Sequence, residues 1–207
     1  MAALAAGYSG RLLDCAVGSG EVTAAVLRGG KFRSATLVDF SPAMLQRAQA
    51  LIGAPPAIAL EWCEADCFTF LGKLPPGSVD LAMGIGLVAH TGRLEELLGL
   101  LRRVVAPGGG VIFQSTLANH PGVALHRLLT GERYFRSYGY RISYQTFDEV
   151  TTAARKAGFV VRAVRRFCIF VPFLDRLWPW GNYWIESVLD GLARRVGSEA
   201  IILLEPV

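Results

Sequence analysis

The chain has 207 residues, of which 52% are hydrophobic, and a formal net charge of +4. That length suits one domain with its own core, and no run approaches the ~20 uninterrupted apolar residues of a membrane-spanning helix. The alanine-rich start lacks the basic region of a signal peptide, so we expect a cytoplasmic protein. The modest positive charge permits an anionic substrate but does not predict nucleic-acid binding.

Apolar runs typical of buried parallel strands alternate with helical patterns through the first half of the chain. Strands are predicted at 11–15, 35–39, 57–62, 79–83 and 110–114, and helices at 21–28, 42–51 and 94–105. Ser41 and Pro42 suit the start of the second helix, and the glycines after Pro107 predict a turn that ends the third. This alternation predicts a doubly wound, mostly parallel α/β sheet.

The pattern changes after the fifth strand. Residues 117–145 are rich in arginine, tyrosine and histidine and contain a short helical pattern near 123–129. A helix at 146–157 and a strand at 159–167 follow, and then an amphipathic helix at 183–196 and a last strand at 199–205. We therefore predict a single domain over 1–207, with an insertion at 117–145 and an aromatic C-terminal segment at 167–196.

The loop after the first strand reads DCAVGSG from Asp14 to Gly20. In an open α/β sheet, ligands bind beyond the carboxyl ends of the strands, and glycine lets a ligand approach the backbone. The dinucleotide fingerprint G-x-G-x-x-G fails here, because its third glycine falls on Thr23. Asp14 would repel a pyrophosphate but suits a ligand that carries a positive group.

Two further acids end predicted strands at the same edge. Asp39 closes the second strand, about twenty residues past the loop, where an acid can accept both hydroxyls of a ribose. Asp66 follows the third strand, where it can accept hydrogen bonds from a purine amino group. Either acid could instead cap a helix or a turn. A ribose, a purine and a cationic tail together indicate one common cofactor.

Five motifs in order carry a family resemblance. They are DCAVGSG from residue 14, LVDFSPAMLQRA from 37, EADCF from 64, VDLAMGIGLVAH from 79 and LLRRVVAPGGGVIF from 100. The set resembles the class I S-adenosylmethionine-dependent methyltransferases, particularly those that act on small molecules, over residues 10–116 and more loosely over 146–167. The resemblance implies a Rossmann-like sheet of seven strands whose last strand, at 199–205, inserts antiparallel beside the fifth.

The resemblance also implies S-adenosylmethionine as cofactor, with S-adenosylhomocysteine as product. The methionine part would lie over the glycine loop, the ribose on Asp39, and the adenine beside Phe40 and Asp66. The cofactor-binding residues that it implies are Asp14, Ala16, Gly18, Gly20, Asp39, Phe40, Met44, Asp66, Cys67, Gly84 and Ile85. The chain departs from the family in two ways: Ala16 stands where a glycine is usual, and about ten residues precede the first strand where helices usually cover the site.

Methyl transfer needs a base only if the acceptor must lose a proton. His90, just past the fourth strand, and His120, after the fifth, are the candidate catalytic residues, and His126 is a third possibility that the sequence does not separate from them. A hydrogen-bonded structural histidine is the alternative for His90. We predict no metal, because the only closely spaced cysteines, Cys63 and Cys67, lack a second pair of ligands.

The arginines and tyrosines of 117–145 suit an acceptor that is aromatic or anionic. The aromatic segment 167–196 suits a hydrophobic acceptor, a homodimer face or a peripheral membrane contact. We therefore expect a small-molecule methyltransferase without a nucleic-acid partner. The alternatives are an S-adenosylmethionine-binding regulator or partner subunit and, third, a nucleic-acid methyltransferase, which the sequence MGIG at the fourth strand disfavours.

Overall fold

The computed structural model describes residues 1–130, 142–169, 178, 180 and 188–207. Its helices and strands follow one another in the order α1 (Ala2–Ala5), β1 (Ser9–Asp14), α2 (Glu21–Gly29), β2 (Lys31–Asp39), α3 (Pro42–Ile52), β3 (Ala59–Glu64), α4 (Cys67–Lys73), β4 (Val79–Gly84), α5 (Leu87–Thr91), α6 (Leu94–Val104), β5 (Val105–Thr116), α7 (Pro121–Thr130), α8 (Phe147–Lys156), β6 (Phe159–Phe167), α9 (Asp190–Val196) and β7 (Glu199–Pro206).

The strands form a seven-stranded sheet in the order β3-β2-β1-β4-β5-β7-β6. The pairs β1–β2, β1–β4, β2–β3 and β4–β5 are parallel, whereas β7 runs antiparallel between β5 and β6. This confirms the α/β fold class, the seven-stranded sheet and the antiparallel last strand beside the fifth. The strand order reverses at β1 and β4, which places the switch point beside the glycine loop.

The sheet is covered on both faces, which is why its strands read as continuous apolar runs. One face packs Leu13 and Phe113 against α4, α6 and α8, with Leu97 and Leu101 of α6 fully buried. The other face packs Leu12, Leu37, Leu81 and Ile112 against α2 and α3. The predicted apolar face of the third helix is therefore confirmed.

Local capping interactions fix the predicted helix starts. The Ser41 hydroxyl accepts the amide of Met44 at 3.4 Å, and Pro42 occupies the first turn of α3. At α8, Thr146 and Glu149 form a reciprocal capping box, which is the side-chain and backbone pairing expected of this sequence.

The glycines after Pro107 differ from the prediction. They lie inside β5 instead of in a turn, and the register between β4 and β5 shifts so that Val79 pairs with Val105 and Leu81 pairs with Gly110. The extra residues Ala106–Gly109 are thus accommodated as a bulge, where Gly108 adopts φ +76° and a side chain would be strained. α6 consequently ends at Val104, one residue before the predicted end.

Two other differences concern the ends of the chain. A short helix, α1, precedes β1 and was not among the predicted elements. The predicted helix at 183–196 is described from residue 188 onward, and α9 spans Asp190–Val196. Its apolar residues Leu192 and Val196 face solvent, whereas Ala193 is buried. Residues 131–141 of the predicted insertion lie outside the described residues, as do 170–177, 179 and 181–187 of the predicted aromatic segment, which include the start of that helix.

Candidate active site at the carboxyl edge of the sheet

Asp14 ends β1 and is only 2% exposed. Its carboxylate accepts hydrogen bonds from the Thr23 hydroxyl in α2 and from the amide of Ala16 at 3.3 Å. Burial raises the pKa of Asp14 to about 6, and the nearby Asp39 carboxylate adds to the rise. The acid therefore ties the start of the glycine loop to α2 and places a negative charge beneath that loop.

Asp39 ends the neighbouring strand β2 and is also buried. One of its carboxylate oxygens accepts the amide of Gly18 at 2.9 Å, and the other accepts the amide of Ser41 at 2.9 Å. The Asp39 side chain thus joins the glycine loop to the start of α3. Each carboxylate oxygen can accept a further hydrogen bond, so Asp39 can hold the loop in place and still accept hydrogen bonds from the hydroxyl groups of a ligand.

The two glycines of the loop, Gly18 and Gly20, lie in different surroundings. Gly18 adopts φ +54°, and a Cβ built on it would meet nothing within 4 Å, so the space over this residue is open. Gly20 adopts φ +85°, and a Cβ there would lie 2.9 Å from both Cα and Cβ of Ala48 in α3. Gly18 therefore leaves room for a ligand, whereas Gly20 is needed for packing against α3, and its predicted contact with the cofactor remains a prediction.

Phe40 follows Asp39 and is 79% exposed, which is unusual for a phenyl ring beside a buried strand end. Met44, in the first turn of α3, is partly buried. The structure thus places a free aromatic surface and a thioether beside the Asp39 carboxylate. Both side chains suit contact with a flat ring.

Asp66 caps α4, as the alternative interpretation of this residue allowed. Its Oδ1 accepts the Thr69 amide at 2.8 Å and the Thr69 hydroxyl at 2.9 Å, and these bonds hold the pKa of Asp66 below its usual value. The side chain is nevertheless exposed, and a carboxylate has a second oxygen for a ligand. Cys67 beside it is buried, and burial raises its pKa to about 12, so its thiol is a neutral packing group.

Gly84 ends β4, the strand paired with β1 on the other side from β2. Ile85 and Gly86 form the turn into α5, and Gly86 adopts φ +75°. The exposed imidazole of His90 lies over that turn, since a Cβ built on Gly86 would be 3.7 Å from His90 Cδ2. The structure therefore brings His90 to the same edge of the sheet as the glycine loop.

The topology places these groups on four neighbouring strand ends, in the order β3-β2-β1-β4. Three carboxylates, an exposed phenyl ring and open space over Gly18 match the chemistry of S-adenosylmethionine, which has two hydroxyls, a purine, an ammonium and a sulfonium group. The residues present therefore fit this cofactor.

Residues 12–109, just under half of the chain, match the family model described as methyltransferase domain. This part of the chain is therefore similar to a methyltransferase domain. The matched residues include the glycine loop, Asp39, Asp66 and the β4 turn, so the family model covers the strand ends described above. The family implies S-adenosylmethionine as the methyl donor. Among curated proteins, no sequence matches the chain significantly.

Solved structures agree on the fold of this domain. An S-adenosylmethionine-dependent methyltransferase from Mesorhizobium loti superimposes with a TM-score of 0.65 at 20% identity, covering 97% of this chain and 91% of that one. One from Methanosarcina mazei gives 0.65 at 14% identity, covering 95% and 92%. The 4+2 cyclase SpnF also gives 0.65, at 18% identity, covering 100% and 79%. The fold alone therefore does not fix the reaction.

A pocket of about 160 Å³ lies at the same edge of the sheet, beyond the ends of β5 and β6. It is lined by Leu117, Asn119, His120, Pro121, Arg166, Val196 and Gly197. The lining is about equally polar and apolar: Leu117, Pro121 and Val196 are apolar, Arg166 contributes a positive charge, and Asn119 and His120 contribute polar groups. Such a lining suits a small ligand with an apolar body and an anionic group.

His120 is 8% exposed, and its Nδ1 accepts the amide of Gly122 at 3.1 Å. In the neutral imidazole this bond leaves the proton on Nε2. Burial lowers the pKa of His120, which favours the neutral form. The neutral His120 thus carries its N–H on Nε2, and its action as a base remains a prediction.

Sequence reasoning missed three parts of this site. Thr23, which bonds Asp14, was noted only as a missing glycine. Arg166 lies near the end of a strand that was interpreted as structural, and its Nη1 donates to the carbonyl of Arg195 at 3.3 Å. Residues 142–145 lie against the end of β5, where Ser115 donates to Gln145 at 3.1 Å. The Thr23 hydroxyl at an α2 position facing Asp14 was the one available signal.

Within the described residues, no group of three or more histidine, cysteine or acidic side chains could hold a metal ion. No described helix combines the length and the apolar character needed to cross a membrane.

Proposed function

We propose that the protein transfers a methyl group from S-adenosylmethionine to a small acceptor that combines an apolar body with an anionic group. The glycine loop is the observation that supports S-adenosylmethionine as the methyl donor in this proposal. Two buried carboxylates, Asp14 and Asp39, fix its backbone through the amides of Ala16 and Gly18, and open space remains over Gly18. A rigid loop with that space and charge suits the cationic end of the donor.

The chain's own residues would divide the binding of the donor among the strand ends. Asp39 accepts the ribose hydroxyls, Phe40 and Met44 cover one face of the adenine, and the exposed Asp66 oxygen accepts the adenine amino group. Gly18, beside Ala16, gives the methionine tail access to the backbone, and Gly84 and Ile85 border the sulfonium. The bound donor supplies an electrophilic methyl group, and displacement at that carbon leaves a neutral thioether.

The main contribution of the protein to the reaction is then to position the acceptor relative to the donor. The acceptor atom must lie in line with the carbon–sulfur bond, and such alignment can supply about 7–11 kcal/mol of the barrier reduction. His90, at the β4 turn, is the residue best placed to accept a proton from the acceptor if one is lost. His120 donates from Nε2 and so helps to orient the acceptor.

The acceptor class rests on the pocket beyond β5 and β6. Arg166 can pair with a carboxylate or phosphate through its planar guanidinium. Leu117, Pro121 and Val196 supply apolar walls, which are partly built from the segments that the sequence assigned to the acceptor. A phenol or an aliphatic chain that bears a carboxylate fits both features.

Transfer of labelled methyl groups to matched acceptors tests this proposal. Aromatic and aliphatic carboxylates would be compared with the corresponding amides and alcohols, using the wild type, Arg166→Gln and Arg165→Gln, which alters the exposed neighbour. We expect kcat/KM to favour carboxylates about tenfold or more in the wild type and in Arg165→Gln, and the preference to vanish in Arg166→Gln. Equal turnover of neutral acceptors would contradict the anionic class.

The alternative is a protein that binds S-adenosylmethionine without transferring the methyl group. This chain also superimposes on a protein named as a cyclase. Since the same fold can therefore serve a different reaction, the fold does not exclude this alternative. Incubation with labelled donor and a whole metabolite extract separates the two: labelled products support transfer, and donor binding without any labelled product supports the alternative.

A further inference from the structure

Most of the exposed large apolar side chains of the described residues belong to two stretches of the chain. Ten of the fourteen large apolar side chains that it exposes lie within residues 125–129 and 167–196. Exposed Phe167, Trp178 and Trp180 are among them. Scattered single apolar residues are normal on protein surfaces, but a concentration of this kind marks a contact surface.

Helix α7 is amphipathic with its apolar residues on the outside. Leu125, Leu128 and Leu129 follow the i, i+3, i+4 spacing of one helix face and are 49%, 82% and 61% exposed. The opposite face carries the buried Val123 and His126. The helix therefore buries a small face and presents leucines to solvent, which costs stability unless something covers them.

The segment that contains α9 shows the same arrangement. Val188, Leu189, Leu192 and Val196 are between 38% and 57% exposed, while the small side chain of Ala193 makes the buried contact. α7 and α9 are neighbours, because Pro121 and Val196 line the same pocket. We call the exposed leucines and valines of α7 and of residues 188–196 the apolar rim.

The charge of a wider set of described segments, which includes the rim and the residues around it, favours one kind of partner. Residues 117–130, 165–169 and 188–198 contain five arginines and one acid, so they account for a net charge of +4, equal to that of the whole chain. The remaining residues carry as many acids as lysines and arginines. Arg194 and Arg195, which lie in α9 itself, are exposed, so the α9 part of the rim carries positive charge beside its apolar residues.

We propose that the apolar rim docks onto an anionic lipid bilayer. Leucine and valine side chains enter the boundary between headgroups and acyl chains, and the arginines beside them pair with lipid phosphates. Exposed Trp178 and Trp180 suit the same interface. The surface lies at the edge that holds the glycine loop and the acceptor pocket, so docking turns the site towards lipid. This inference does not depend on methyl transfer.

Sedimentation with lipid vesicles, without any methyl donor, tests the proposal. The full-length chain would be mixed with phosphatidylcholine vesicles that contain about one third phosphatidylglycerol, or with phosphatidylcholine alone. We expect at least about tenfold stronger partitioning to the anionic vesicles, and a loss of this preference in high salt. Leu128→Glu and Leu192→Glu should each weaken binding about tenfold, whereas Leu51→Glu, an exposed leucine of α3, should not.

Reversing the charge of a single arginine is the second part of the vesicle experiment. Arg195→Glu should weaken binding to anionic vesicles about five- to tenfold, while Arg47→Glu, on exposed α3, should change it less than twofold. Absence of vesicle binding would overturn the proposal, as would equal effects of the rim and control variants. A dimer that Leu128→Glu or Leu192→Glu converts to monomer, without vesicle binding, would overturn it in favour of a contact between copies of the chain.

Discussion

Each oxygen of the Asp39 carboxylate already accepts a backbone amide, from Gly18 on one side and from Ser41 on the other. The residue therefore organises the site before any ligand arrives. Asp14 does the same at the start of the loop through Ala16 and Thr23. Substitutions at these two acids would change loop structure as well as ligand binding, so sharper tests use residues with no structural partner to lose.

Gly18 offers such a test. Asparagine tolerates the left-handed conformation that Gly18 adopts, so Gly18→Asn should leave thermal stability close to that of the wild type. Its side chain would fill the open space, and we expect affinity for S-adenosylhomocysteine to fall at least about tenfold. Gly108→Asn is the matched control, because Gly108 also has positive φ and open space but lies in the β5 bulge. Equal affinities of the two variants in calorimetry would contradict the assignment.

Phe40 allows a second test at the same scale. Because its ring is 79% exposed, Phe40→Ala should not change the free energy of unfolding measurably. If the ring stacks on adenine, affinity for S-adenosylhomocysteine should fall roughly tenfold. Leu51→Ala, which removes an exposed side chain from the far end of α3, should leave affinity unchanged. A loss of stability in Phe40→Ala without a loss of affinity would show that the ring packs rather than binds.

Asp14 makes a pH-dependent prediction. Its pKa is raised from 3.8 to about 6 by burial, so the folded state holds the proton more tightly than the unfolded state. This contribution to stability is complete below the unfolded pKa and is lost as the pH rises through about 6. Between about pH 4 and about pH 7, Asp14→Asn should gain about 2–3 kcal/mol in unfolding free energy relative to the wild type. Denaturant titrations measure this difference.

The control for that series is Glu64→Gln, which removes an exposed carboxylate at the end of β3. It should follow the wild type across the same range. If Asp14→Asn and Glu64→Gln show the same pH dependence, the buried Asp14 is not protonated in the way its surroundings indicate.

At the scale of elements, the start of α2 packs closely against α3 at Gly20. A methyl group there would lie 2.9 Å from the backbone Cα of Ala48, and the residue also has positive φ. Gly20→Ala should therefore destabilise the fold by about 2–4 kcal/mol, from overpacking and backbone strain together.

Gly99→Ala is the matched change, and it should shift the stability of the protein in the opposite direction. Gly99 lies within α6 with open space around its Cβ position, so alanine should stabilise the protein by about 0.5–1 kcal/mol. Thermal or denaturant unfolding compares the two. A neutral Gly20→Ala would mean that α3 can shift away from the loop, which would weaken the view that Asp39 and Gly20 hold a rigid site.

The elements also show what the sequence could predict. The β-α alternation and the acids at strand ends were predictable, because strands buried on both faces are continuous apolar runs and strand ends converge at one edge of a parallel sheet. The bulge at Ala106–Gly109 was not, since a glycine-rich stretch predicts a turn and a bulge equally well. Nor was the outward face of α9, because helical periodicity identifies an apolar face without showing whether anything covers it.

At the scale of the whole molecule, the donor and acceptor sides were not equally predictable. The donor side uses short loops at four adjacent strand ends, where the acids and glycines stand out in the local sequence, although Thr23 does not. The pocket beyond β5 and β6 joins Leu117, Arg166 and Val196, which are far apart in the chain. Single-sequence patterns carry no information on such long-range contacts, so Arg166 was missed.

The most direct test of the central claim is a crystal structure with S-adenosylhomocysteine bound. The account predicts ribose hydroxyls within hydrogen-bonding distance of the Asp39 carboxylate, the adenine ring against Phe40, and the amino acid tail over Gly18. A ligand bound elsewhere, or no ligand in crystals soaked well above the expected affinity, would contradict it.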